Sequence, residues 1–462
     1  MKKLACPGPT RRDILRFGSV ALGSTALGSI VPYAAAGSSA TSLRSSNDPA
    51  VIFVWLPGGP PHQDTFDMKP DSPSEYRGPY KPISTNVPGI QICEHLPKLA
   101  SMADKYALIR SVHHRFADHG GGHKKFLTGR DPLEPTGFKV DYPMVGSMVA
   151  EVLKNRQAKV PNYIAGVDGG RQGIDTFSFG SAYLGPAAHP FLVAGDPAEA
   201  KFEMRNLSFV RDTQEKLGDR LALLNRFDGP VPDLQGNARG MDVLRTRALE
   251  LLTADTARNA FDLSKEPQAL RDKYGRHRYG QRALMARRLV EHGASWVTMV
   301  MENATPPGET LKKDHTYNWD SHAVNCHIFE DTQYKLGFLD QAISTLINDL
   351  YDRGLDRKVL LVVTGEFGRT PKIEYKDGRP GRDHWPRAMS ILVSGGGMKM
   401  GQVIGSTTSK AEVPKDRPLT PNDLWATVFD HLKIDAPHIN FLDGTGRPMP
   451  MLPDGEPIAE LG

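Results

Sequence analysis

An α/β fold with a largely parallel sheet flanked by helices is predicted by three observations. Short β-branched and aromatic runs recur along the chain, and amphipathic helical stretches separate them. Polar residues able to do acid–base or metal chemistry gather just beyond the ends of those runs.

The chain opens on a segment unlike the rest. "TRRDILRFGSVALGSTALGSIVPYAAA" carries the pair Arg11 and Arg12, a mildly apolar Gly-rich run from Phe17 to Val31, and small residues at Ala34, Ala35 and Ala36. This resembles a twin-arginine (Tat) signal over residues 1–36, which implies export to the periplasm or beyond. The apolar run is too short and too rich in Gly and Ser for a lasting anchor, so no stable membrane span is expected after cleavage. A Ser-rich linker, 37–47, leads into a domain expected over 48–462.

The formal charge of +4 sits in that leader, because Lys2, Lys3, Arg11, Arg12 and Arg16 face Asp13 alone. The remainder of the chain is balanced in acid and base. Bulk charge therefore makes no case for nucleic acid or an anionic membrane surface as partner. Cleavage would also remove Cys6 and leave Cys93 and Cys326 in an oxidising compartment, where the two are expected to approach and could bridge, or could equally be unpaired core residues.

The strand candidates are "VIFVWLPGG" (51–59), "YALIRSV" (106–112), "PFLVAG" (190–195), "SWVTMVM" (295–301), "KVLLVVTG" (358–365) and "AMSILVSGGG" (388–397). Uninterrupted apolar runs of this length read as strands buried on both faces. The clearest helix precedes Gly354, with Leu336, Leu339, Ile343, Leu346, Ile347 and Leu350 on one face. A second, "GQRALMARRLVEHG", closes on Gly293. Residues from about 200 to 280 hold helical patterns without a strand, and read as a helical insertion.

In open α/β sheets ligands bind beyond the carboxyl ends of the strands. His62, Asp64 and Asp67 follow the first run; His113, His114, Asp118, His119 and His123 follow the second. Asp320 and His322 end the loop after 301, Glu366 follows the strand at 358, and Asp383 and His384 precede the last run. Any one of these residues alone could be a helix cap or a turn residue. Together they offer the mixed imidazole and carboxylate set that divalent ions take. Gly120, Gly121 and Gly122 are expected to offer backbone amides to an anion at a helix start. A G-x-S-x-G elbow, a Walker A loop and a CxxC pair are all missing, which argues against three common enzyme classes.

"LPGGPPHQDTFDMKP", "DKYGRHRYGQRALMARRLVEHGASWVTMV", "NWDSHAVN", "TGEFGRTP" and "GRDHWP" resemble the domain-of-unknown-function family 1501. That family is exported and sulfatase-related, within the alkaline-phosphatase-like superfamily. The resemblance implies an alkaline-phosphatase-like fold, one or two metal ions at the sheet edge, and a nucleophile at the start of a helix. Counting back from Leu127, Thr128 and Gly129, the nucleophile's position falls on His119, so the usual formylglycine Cys or Ser/Thr is missing. Glu366 resembles a metal-binding Asp, while Phe367 stands where a His ligand is expected. Asp320, His322 and His384 resemble the ligands of the other ion, and Pro57, Gly58 and Gly59 replace an Asp after the first strand.

The implied function is a metal-dependent hydrolase of phosphate or sulfate esters, acting on an anionic small-molecule or glycan ester. Asp320, His322 and His384 would hold one divalent ion (zinc, calcium or manganese), and Glu366, Asp64 and His119 would help hold a second, with metal-bound water attacking; a different hydrolytic chemistry would make His119 catalytic, as nucleophile or general base. A relative that binds metal or glycan without turnover is the alternative.

Overall fold

The computed structural model describes residues 48–137, 140–156, 160–167, 179–202 and 255–462. The leader, the linker and most of the expected helical insertion lie outside the described residues. The insertion's described end carries helices Asp255–Phe261 and Gln268–Tyr274, followed directly by another helix.

Eight strands form the central sheet: β1 (Ala50–Trp55), β2 (Ala107–Val112), β3 (Tyr163–Val167), β4 (Phe191–Ala194), β5 (Trp296–Val300), β6 (Val359–Thr364), β7 (Met389–Gly395) and β8 (Gln402–Ile404). Their spatial order is β8-β2-β7-β6-β1-β5-β3-β4. Every neighbouring pair is parallel except the two made by β7, which runs against β2 and β6. The sheet is thus largely parallel, as expected, and each of the six strand candidates forms a strand. β3 and β8 escape the sequence reading, β3 because Ala165 and Gly166 weaken its apolar signal and β8 because it is only 3 residues long.

Helices cover both faces, and the period-2 alternation of β1 sorts its side chains between them. Ala50, Ile52 and Val54 join one core with α3 (Arg278–Glu291) and α4 (Ile328–Asp352). Val51, Phe53 and Trp55 join the other, with α1 (His119–Thr128), α2 (Val145–Val152) and α5 (Pro421–His431). The apolar stripe predicted for α4 is buried along its length. Gly354 (φ 63°) and Gly293 (φ 107°) stand past the ends of α4 and α3 in a backbone conformation that β-carbon-bearing residues avoid.

The direction of β7 decides where the site forms. Residues that follow a parallel strand leave at the carboxyl edge, whereas residues that precede an antiparallel neighbour enter there. Asp383 and His384, just before β7, therefore meet residues that follow β1, β2, β5 and β6.

The disulfide does not form. Cys93 and Cys326 are both free and buried. Cys93 ends a strand of a short antiparallel pair and packs in the core, and Cys326 lies against Asp331, with 3.8 Å between Sγ and Oδ2. Burial pushes each thiol up to about 12, so both behave as small core residues rather than as redox groups. Among the described residues, no helix is long and apolar enough to cross a membrane.

Candidate metal centre

Five segments meet at the carboxyl edge, and the loop after β5 shows how one is held. The Trp319 amide donates to the Pro57 carbonyl (2.9 Å) and its indole N–H to the Met301 carbonyl (3.1 Å). The buried Lys335 ammonium bonds Asp331 at 2.5 Å and the Asn318 carbonyl. Asp320 and His322 thereby sit against the turn after β1. That turn must be glycine: a β-carbon on Gly58 (φ +105°) would stand 2.4 Å from the Asp320 nitrogen.

Three imidazoles converge on one carboxylate oxygen. The Nε2 atoms of His119, His322 and His384 lie 3.3, 3.0 and 3.1 Å from Asp320 Oδ1, and His322 Nε2 is 2.9 Å from His384 Nε2. Arg369 Nη2 reaches the same oxygen at 2.8 Å. The second nitrogen of each ring is already committed, that of His119 to Glu366 (2.8 Å). His322 Nδ1 donates to Asp383 Oδ1 (2.5 Å), and His384 Nδ1 donates to the Ala117 carbonyl (2.6 Å). In neutral rings these bonds place the proton on Nδ1 and aim the Nε2 lone pairs at Asp320. Metal-bound histidines carry this outer hydrogen bond almost without exception.

The donor set fits a divalent cation. One carboxylate oxygen has too few lone pairs for an Arg and three imidazoles, and two facing imidazole nitrogens need a proton or an ion between them. The structure meets the first demand with protons. Burial works against charging His119, but Asp320 and Glu366 outweigh it and lift its pKa to about 9. His322 is also raised against burial, chiefly by Asp320, while burial lowers His384. Burial opposes ionisation of Asp320 too, yet the three imidazoles hold it far below the usual carboxylate range. A cation at this point would supply the same charge without the protons.

Glu366 anchors a second group beside the first. Its carboxylate accepts the Gly58 amide at both oxygens (2.9 and 3.0 Å), and Oε1 lies 2.8 Å from His119 Nδ1 and 3.2 Å from His123 Nε2. Burial would raise its pKa, but His123 and His119 prevail and hold it well below the normal range. Ligand atoms of His119, Asp320 and His384 fall within 4.8 Å of one another, as do those of His119, His123 and Glu366. The His119 ring thus joins two groups, with Nδ1 in one and Nε2 in the other.

Other expectations change at this level. Asp64 stays out of the cluster because Arg382 takes both its oxygens at 2.8 and 3.1 Å in a fully buried pair. Asp67 is likewise occupied, by Lys69 (2.9 Å) and Thr407. The Gly120 and Gly121 amides donate to the Asp118 side chain (2.8 and 3.3 Å) and the Gly122 amide to its carbonyl (2.7 Å), so this helix start is capped from within rather than open to an anion. The Phe367 ring takes the space of the expected ligand, 4.6 Å from His384 and 5.5 Å from His119 between centroids. Arg369 binds the Gly59 and Trp319 carbonyls (3.0 and 3.1 Å), the Arg382 carbonyl (3.0 Å) and the Gly58 carbonyl as well as Asp320. His123 was readable from spacing alone: His119 and His123 are i and i+4 on α1 and share a face.

The family model for "Protein of unknown function (DUF1501)" matches residues 48–461. The chain belongs to the DUF1501 family. No curated protein matches its sequence. Among solved structures, the phosphonate monoester hydrolase from Silicibacter pomeroyi aligns at 14% identity and a TM-score of 0.37, covering 89% of this chain and 76% of that one. Alkaline phosphatase from the Antarctic bacterium TAB5 aligns at 13% and 0.37, covering 84% and 99%. Ps i-CgsB, solved with k-i-k-neocarrahexaose, aligns at 12% and 0.38, covering 84% and 72%. At these scores the likeness assigns no residue and no activity to this DUF1501 protein.

Proposed function

We propose that this DUF1501 protein is an exported, metal-dependent hydrolase of phosphate or sulfate esters. The observation that carries the reading is the convergence of His322 Nε2, His384 Nε2 and Asp320 Oδ1, each backed by its own outer partner: Asp383, the Ala117 carbonyl and Arg369. These three residues would hold the ion. Bound there, a divalent cation supplies Lewis-acid polarisation of an ester oxygen and neutralises an anionic group.

The remaining chemistry belongs to side chains. Asp383 and the Ala117 carbonyl keep His322 and His384 in the tautomer that leaves Nε2 free for an ion. Glu366 takes the Nδ1–H of His119 and leaves that ring's Nε2 facing the cluster. His119 would take a proton from an attacking water and return it to the leaving oxygen. His119, Asp320, His322 and His384 are partly exposed, which gives an anionic small-molecule or glycan ester a route to them. Export rests on the twin-arginine leader.

The test uses full-length protein matured by its own cell, with bound metal and turnover of aryl phosphate and aryl sulfate measured on the same samples. His384→Ala should lose the ion with the fold intact. His119→Ala should keep the ion and lose turnover. If His119→Ala also loses the ion, His119 is a fourth protein ligand, the coordination sphere is closed, and the non-catalytic metal-binding reading replaces this one.

A further inference from the structure

We infer that this chain holds one divalent ion rather than two, and that Gly58, His123 and Glu366 are positioning residues that fix His119 beside it. The inference builds on the metal reading above and assigns the second half of the site.

The residues around Glu366 do not fit a second ion. Its oxygens are engaged by the Gly58 amide, at 2.9 and 3.0 Å, and that amide belongs to a turn which cannot move without displacing Asp320. Oε1 also faces His119 and His123. Among the described residues three side chains could serve as ligands there, and His123 and Glu366 are buried where water would have to complete the coordination of zinc, calcium or manganese.

What surrounds them is carbon. The Trp55 ring stands edge-on to His123 at 5.4 Å between centroids, and Phe367 fills the space where a further imidazole would be needed. A β-carbon on Gly122 would lie 2.8 Å from Phe367 and 3.3 Å from Glu366 Cγ, so α1 packs directly on the group. His123 and Glu366 are both buried. A second ion there would take Nδ1 of His119 and move the ring's proton to Nε2, leaving no lone pair to accept a proton from water. Charge points the same way, since one carboxylate would face a second dication close to the first.

The same contacts have a constructive reading. Gly58 and His123 hold the Glu366 carboxylate from two sides, leaving it one orientation. In that orientation it accepts the Nδ1–H of His119, and the ring's other nitrogen is turned to Asp320.

The experiment counts ions and reads the tautomer of His119 separately. Full-length protein, stripped with chelator, is titrated with Zn²⁺ and the bound metal is measured by mass spectrometry for wild type, Glu366→Gln and His123→Gln. One equivalent is expected in all three, with affinity in the variants within roughly tenfold of wild type. In Glu366→Gln the imidazole ¹⁵N shifts of His119 should leave the pattern of a single Nδ1–H tautomer, a change that loss of packing alone would not produce. Two equivalents in wild type, falling to one in either variant, would overturn the inference while leaving the metal reading intact. Zero equivalents in wild type would remove both. One equivalent without ester turnover removes only the hydrolase assignment. If Glu366→Gln fails to fold, the wild-type count and His123→Gln still decide.

Discussion

The two groups that share His119 are built from the same kinds of side chain and do opposite things. Around Asp320 the lone pairs of His322 and His384 point at one place, the residues are partly exposed, and each donor is braced from behind. Around Glu366 the donors and acceptors are paired with one another and shut in by Trp55 and Phe367. The difference teaches that composition does not make a metal site. What matters is whether the polar atoms are satisfied by the protein itself.

That contrast can be broken by substitution, and the largest effect is expected at its shared oxygen. Asp320→Asn should abolish stoichiometric Zn²⁺ binding, as read by metal analysis after gel filtration, because the one anionic donor is lost. Next comes Arg369→Met. Removing a fully buried guanidinium leaves Asp320 and several carbonyls without a donor, and should cost about 3–5 kcal/mol in chemical denaturation. Asp383→Asn keeps the fold and loosens His322, and should weaken Zn²⁺ affinity by roughly 10–100-fold in a competition titration with a coloured chelator.

Gly122→Ala strikes the sealed group instead. Its new methyl meets Phe367 and Glu366, so it should lower stability by about 1–3 kcal/mol with little change in ion affinity. If ion affinity fell as far as in Asp383→Asn, the two groups would not be separable.

The smallest effect lies outside both groups. His277 caps α3 by accepting the Gly280 amide (3.2 Å), and burial lowers its pKa to about 4. Its unfolded pKa is near 6.5, so as pH falls from about 6.5 to 4 the unfolded chain takes up a proton that the folded one refuses. Stability from this residue is full above 6.5 and declines through that window. His277→Asn, which keeps a capping oxygen, should flatten the slope of melting temperature against pH there and leave ion binding untouched.

The sequence showed the sheet well because β1, β5 and β6 are buried on both faces and cannot be written in polar residues. It also placed Asp320, His322, Glu366 and His384 on one edge, since that follows from what precedes and succeeds a strand. What it could not show depends on contacts between distant segments. Gly58 and Glu366 are separated by 308 positions, and nothing local to either predicts that an amide would do the work assigned to a carboxylate. Asp64 looked available for the same reason: Arg382, its partner across 318 positions, is invisible from its own neighbourhood. The part played by Arg369 is equally hidden, because only the fold reveals the ring of carbonyls it gathers.

The reversed strand β7 has a consequence in time. The segment that closes the centre enters the sheet late in the chain, and it must meet partners made hundreds of residues earlier. On the ribosome, His119 and Asp320 emerge well before His384 does, and contacts so far apart in sequence form slowly. Under the proposed reading an ion would therefore not seed the fold: a nearly finished protein would capture it, and the compartment that completes the folding would also choose the metal.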